Sequence, residues 1–166
     1  MAVTALPSVA TITTALKVLI LSLLPTFEGR YALLVGIATG LDPLISFAIA
    51  SIGVLLLATI LPNALAFIDD VAKATGKSKY VLLSKSSKLY LRYVSNVRHR
   101  VRKYVDKYGA AGLIIFVAIP LPATGVWTGA LGAYLLGMDK TKTMISLLIG
   151  GLISNLLTLA AATILT

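Results

Sequence analysis

The chain has 166 residues, 58% hydrophobic and 13% charged, with a mean hydropathy of +0.94, a composition that belongs to membrane proteins. With no cysteine and one histidine, a disulfide framework, an iron–sulfur cluster and a thiolate zinc site are excluded, and no cofactor or resident metal is expected. The net charge of +9 is concentrated, because residues 73–107 hold eleven of the fifteen Lys and Arg.

The opening MAVTALPSVATITTALKVLI lacks the basic leader of a cleaved signal peptide and is read as part of the fold. Residues 6–24 are mostly apolar, long enough to enter a bilayer, interrupted by Lys17 and closed by Pro25. Lys17 is read as snorkelling to an interface. Residues 26–40 would reach only about 22 Å as a helix, against a hydrocarbon core of about 30 Å, so they cannot cross. Gly40-Leu41-Asp42-Pro43 predicts a break and a new helix, with Asp42 as N-cap and Pro43 at the first helical position. Residues 44–67 are uncharged and about 36 Å long as a helix, which predicts a tilted span.

Residues 69–107 are the polar middle. Tyr90, Val94, Val97, Val101, Tyr104 and Tyr108 recur at steps of four and three, with Arg92, Arg98, Arg100, Arg102 and Lys103 elsewhere, which predicts an amphipathic helix. Tyrosines beside a basic face favour the headgroup layer, and His99 in RHRVRK is read as facing solvent or headgroups. A nucleic-acid arm would need neither an apolar stripe nor membrane segments on both sides, so no nucleic-acid partner is expected. Residues 109–119 and 123–137 flank Pro120-Leu121-Pro122, through which no helix continues. Neither leg spans alone, so a re-entrant hairpin is expected, with Gly125, Gly129, Gly132 and Gly137 permitting close packing, as Gly36 and Gly40 do earlier. Asp139 is expected to cap the last span, residues 141–165, whose Asn155, next to Ser154, is read as an interhelical hydrogen bond.

LPTFEGRYALLVGIATGLDP, residues 24–43, returns 97 residues later as LPATGVWTGALGAYLLGMDK, residues 121–140, with its Leu-Pro, Gly and Asp in register. The chain therefore reads as one all-α membrane domain, residues 1–166, made of repeat 1 (6–68), a basic connector (69–107) and repeat 2 (108–166). A hairpin followed by one span makes a single net crossing, so the two units are expected in opposite orientations, as an inverted repeat. The positive-inside rule then puts the connector in the cytoplasm and both termini outside a multi-pass plasma-membrane protein.

Non-helical backbone at membrane depth must be covered by protein or line a cavity. The two proline breaks thus predict a polar cavity, with short helices starting at Thr26 and Ala123 and their unpaired N–H groups suited to an anion. Glu28 and Arg30 fall in that place, and by the offset Arg30 has Trp127 as its counterpart. A charge at the bilayer centre costs roughly 2.5–3.5 kcal/mol, so both call for a reason. One reading makes them a structural ion pair, or Glu28 a helix cap, although side chains two apart on a helix do not face each other. The other gives Arg30 an anionic headgroup and Glu28 a proton that a desolvated carboxylate can exchange near neutral pH. No nucleophile with a base is visible, so no enzyme is expected.

Pro25, Glu28 and Arg30 in LLPTFEGRYALLVG, together with FVAIPLPATGVWTGALGAYLLGMDK over 116–140, resemble the small multidrug export proteins. That family is similar in turn to the DedA-like (VTT-domain) membrane proteins, which have paired re-entrant hairpins and are linked to transport of phosphate-bearing lipids. The resemblance covers most of residues 21–166 and marks Pro25, Glu28, Arg30, Pro122, Gly125 and Trp127 as substrate-binding. The second hairpin lacks the acidic and Arg residues typical of DedA-like proteins. What the resemblance implies is a transporter of an amphiphile with an anionic headgroup, such as a phospholipid or polyprenyl phosphate, with Glu28 as the candidate for proton coupling. Two alternatives stand beside it. One is proton-coupled export of lipophilic cations, with Glu28 binding and Trp127 stacking on the cation; the other is a scaffold that binds anionic membrane lipid without transport. The short length and the GxxxG spacings at Gly36–Gly40 and Gly125–Gly129 lead to the expectation of a homodimer.

Overall fold

The computed structural model describes residues 9–25, 27–74, 88–121 and 123–165. These form seven α-helices and, among the described residues, no strand: α1 (Val9–Leu23), α2 (Glu28–Ala38), α3 (Pro43–Ala74), α4 (Lys88–Tyr108), α5 (Ala110–Ala118), α6 (Val126–Leu135) and α7 (Lys140–Leu165).

The two long helices begin alike. Gly40 and Gly137 adopt φ of +86° and +68°, values at which a side chain is strained, and each closes the helix before it. Thr39 N–H donates to Val35 C=O, Gly40 to Ile37 and Leu41 to Gly36; 97 residues on, Leu136 donates to Gly132, Gly137 to Tyr134 and Met138 to Ala133, all six at 3.0 Å. The next helix then starts on an aspartate. Asp42 Oδ1 accepts the N–H of Leu44 (2.9 Å) and Ile45 (3.1 Å), and Asp139 Oδ1 accepts that of Lys142 (3.0 Å), so both are N-caps as expected.

Within α3 and α7, Pro43–Leu65 and Lys140–Ile164 are long and apolar enough to cross a membrane, with mean hydropathies of 2.6 and 2.0. Their surroundings distinguish them from soluble core helices. Only 39% and 33% of their most apolar windows are buried, and Leu44, Ile52, Ile60, Ile145, Ile149 and Leu156 face outward. α3 passes Pro62 inside the span without stopping, a residue the sequence reading overlooked, and runs past the expected end at residue 67.

α3 and α7 pack against each other at the centre, where Gly151 leaves room for Val54. The short helices α2 and α6 each lie on both long ones, and α1 closes on α2 and α3 with Ser22 set against Gly53. α1 is thus part of the fold, and Lys17 on it is exposed, in keeping with a snorkelling position. The glycines assigned to association are used within the chain. Gly36 faces Val18 and Ser46, Gly125 faces Glu28, Gly129 faces Val117 and Leu147, and Gly40 serves the turn.

α4 is the amphipathic helix expected from the periodicity. The middle of its apolar stripe turns onto protein, with Val97 and Val101 buried in the main core and Tyr104 edge-on to Phe116 at 5.7 Å between ring centroids. Helical periodicity identifies an apolar face but not what covers it; here α5 and α6 cover it, at a gain of roughly 1.5–3 kcal/mol per buried valine. Arg98, Arg100, Arg102 and Lys103 remain exposed, with Arg102 paired to Asp106 at 2.9 Å. A Cβ at Gly132 would collide with Val101. Gly132→Val is expected to destabilise the protein by about 1–3 kcal/mol, read as a lower thermal midpoint in detergent, and Val101→Ala should recover part of the loss in the same measurement.

Candidate functional site

The chain between α5 and α6 leaves the helical path over seven residues, and two side chains of α2 close the break. Ile119 ends α5 in an extended conformation, Ala123 has a φ of +63°, and α6 starts at Val126 on an N-cap glycine, Gly125, that supplies no side-chain cap. The expected helix start at Ala123 is therefore corrected, because left-handed backbone there and a turn held by Thr124 postpone it. Thr124 Oγ1 donates to the carbonyl oxygens of Ile119 (2.6 Å) and Leu121 (2.7 Å). The helix expected from Thr26 likewise begins at Glu28.

Glu28 provides the cap that Gly125 lacks. Its Oε2 accepts the N–H of Val126 (3.3 Å) and its Oε1 that of Trp127 (3.2 Å), two of the orphan donors at the start of α6. A Cβ at Gly125 would occupy the space of the carboxylate, so this contact requires glycine. Arg30 serves the other end of the break. Its Nη1 donates to Ile119 C=O (3.1 Å) and Thr124 Oγ1 (3.3 Å), and its Nη2 to Glu28 Oε2 (3.3 Å). The acid lies on the positive end of α6 and the base on the negative end of α5, the signs that helix dipoles favour. The guanidinium also lies 5.5 Å from the Tyr31 ring centroid.

The ion pair overturns the argument from spacing. Two residues apart on a regular helix, Glu28 and Arg30 would diverge, but Glu28 has a φ of +51° and stands at the first position of α2, so the helical geometry does not apply to it. Both residues are buried, at 6% and 5% exposure.

The offset of 97 has a counterpart here. Position 28 corresponds to 125, and the two touch. Position 30 corresponds to 127, and each donates to the C-terminal end of the other half's first helix: Arg30 to Ile119 beyond α5, and the Trp127 indole N–H to Leu23 C=O at the end of α1 (3.2 Å). Of the marked residues the structure thus brings together Glu28, Arg30, Gly125 and Trp127. Pro25 is exposed in the turn after α1, and Pro122 lies outside the described residues.

The space beside the pair is a cavity of about 10 Å³, room for one water molecule, lined also by Val54, Val117, Gly151, Ser154 and Asn155. Glu28 and Arg30 themselves fill the place between the helix tips that the sequence reading gave to a ligand. Asn155 Nδ2 approaches Ser51 Oγ on α3 at 3.5 Å, a long interhelical contact of the kind expected. Thr124, Ser154 and the Leu23 and Ile119 carbonyls were not among the candidate site residues.

Gly125→Ala is expected to expel the Glu28 carboxylate and destabilise the protein much as Glu28→Ala does, by about 3–5 kcal/mol, since either leaves a buried charge unpaired. In thermal or denaturant unfolding the double variant should be no less stable than the worse single one, because both changes remove the same contact; additive losses would mean that the two residues act separately.

A family model described as "Putative small multi-drug export protein" matches residues 28–157, which run from the Glu28 cap into the end of α7 that carries Ser154 and Asn155. No curated protein and no solved structure matches the chain. The match spans well over half of the chain and agrees with the outward-facing apolar spans: the protein belongs to the small multi-drug export family and is a membrane protein of the export class.

Proposed function

We propose that the chain is a membrane transporter made of two oppositely oriented units, and that its substrate is an amphiphile with an anionic, phosphate-type headgroup. The observation that carries the substrate reading is the convergence of three donors on one carboxylate: the N–H groups of Val126 and Trp127 at a helix N-terminus and the Arg30 guanidinium. This is an anion site with an anion of the chain's own in it. Protonation of Glu28 would remove its charge, weaken its hold on all three donors and leave them to a headgroup, so that proton uptake and substrate binding compete for the same groups. Acyl or prenyl tails would lie along the outward aliphatic faces of α1, α3 and α7.

Support for opposed units comes from the matched turns 97 residues apart and from the lengths of the short helices. α2, α5 and α6 have 11, 9 and 10 residues, which is roughly half the hydrocarbon thickness at 1.5 Å per residue. In this topology the basic face of α4 is cytoplasmic and the termini are outside. A homodimer would associate through outer faces, since the GxxxG glycines are occupied internally.

The family's description favours a second reading, export of a lipophilic cation that displaces Arg30 from Glu28 and stacks on Trp127. Proteoliposomes separate the two. With polyprenyl phosphate as probe, Arg30→Ala is expected to cut flux about tenfold or more, the equivalent of losing one charge-assisted hydrogen bond, in protein that keeps its wild-type elution profile, while Arg30→Lys retains part of it. Flux of a lipophilic cation that Glu28→Gln abolishes and Arg30→Lys leaves unchanged would establish the second reading in its place. No flux of either probe would remove the transport assignment.

A further inference from the structure

The buried pair leaves polar capacity unused, and all of it faces one small space. Arg30 Nε and Ser154 Oγ have no hydrogen-bond partner among the described residues, although Arg30 is 5% and Ser154 4% exposed. Both line the cavity beside Glu28, which has room for one water molecule, and Asn155 at its wall makes only the long 3.5 Å contact to Ser51. A buried donor without a partner costs roughly 1–3 kcal/mol, and buried waters occur where two to four polar groups converge on such a volume.

We propose that this cavity holds one water molecule, bonded to Arg30 Nε, Ser154 Oγ and Asn155, and that Glu28 gains and loses its proton through it. The inference rests on the reading above, in which Glu28 takes up a proton during transport. A proton from outside water passes to the cavity water, which gives one of its own to the Glu28 carboxylate. The acid becomes neutral, the pair with Arg30 goes from zero net charge to +1, and no bond between heavy atoms changes. Of the elements packed around Glu28, α3 and α5 present Val54 and Val117, α6 its first N–H groups, and α7 Ser154 and Asn155. Arg30 is the only charged group facing it among the described residues, and Tyr31, which reaches Arg30, does not line the cavity. Direct access is slight, since Glu28 is 6% exposed. Asn155 at the cavity wall reaches Ser51, half-buried on α3, at 3.5 Å.

Trp127 is the only tryptophan, and its backbone N–H binds Glu28 Oε1, so its fluorescence reports the state of the acid. The test is a stopped-flow pH jump on the full chain in detergent. Wild type is expected to show a fluorescence step that Glu28→Gln abolishes. Ser154→Val, which fills the cavity and removes the hydroxyl, should slow that step by about a hundredfold, the low end of what a positioned proton donor contributes. The smaller Ser154→Ala, which removes the hydroxyl but leaves room for the water, should slow it by less than Ser154→Val. A wild-type step that depends on Glu28 but runs as fast in the Val and Ala variants would overturn the water relay and leave the proton role of Glu28 standing. Absence of any step that depends on Glu28 would remove that role, and the relay with it.

Discussion

The closure of the broken backbone between α5 and α6 is the constraint on which the rest depends. A buried amide or carbonyl left without a partner costs several kcal/mol, and this stretch ends one helix and begins another. Thr124 covers two carbonyls from within. Glu28 and Arg30, nearly one hundred residues earlier in the chain, cover the two helix ends. The pair is therefore more than an attraction between opposite charges, which desolvation can cancel. It tethers α2 to the far half of the molecule and fixes where α6 begins.

The two halves solve this problem with unequal chemistry. Arg30 and Trp127 hold equivalent positions and donate to carbonyls at the ends of α5 and α1, but the indole has a single N–H and no charge. Arg30 reaches Ile119, Thr124 and Glu28 together, and its Nε is still without a partner among the described residues. All the buried charge of the described residues lies in the first half, and it acts on the second.

What the sequence made legible follows from which residues govern local backbone. Gly40, Asp42, Gly137 and Asp139 set turns and caps by their own chemistry, so the matched hinges and both spans could be read directly, and three backbone hydrogen bonds of one hinge recur in the other. The apolar stripe of α4 was equally plain, but its burial under α5 and α6 was not, because a periodic pattern carries no information about the partner. The contact between Glu28 and Arg30 was one of two readings of the sequence, and the rule that counted against it presumes a helical φ, which Glu28 does not have. The cap on α6 comes from a residue 98 positions away, a distance over which local patterns say nothing; only the numerical offset, which maps 28 onto 125, connects the two.

That mapping bears on how such a molecule could arise. An ancestral single unit pairing with an identical copy would bring two residues of position 28 face to face, where there is space for one side chain and none for a second. Two carboxylates in that place would collide and repel, so a self-paired ancestor could not have carried the acid as a fixed charge on both copies. Joining the copies in one chain lifts the restriction, because one can keep glutamate while the other becomes glycine. If the chain arose from two such copies, their fusion, and not the refinement of either, is what would have made a single central charge possible.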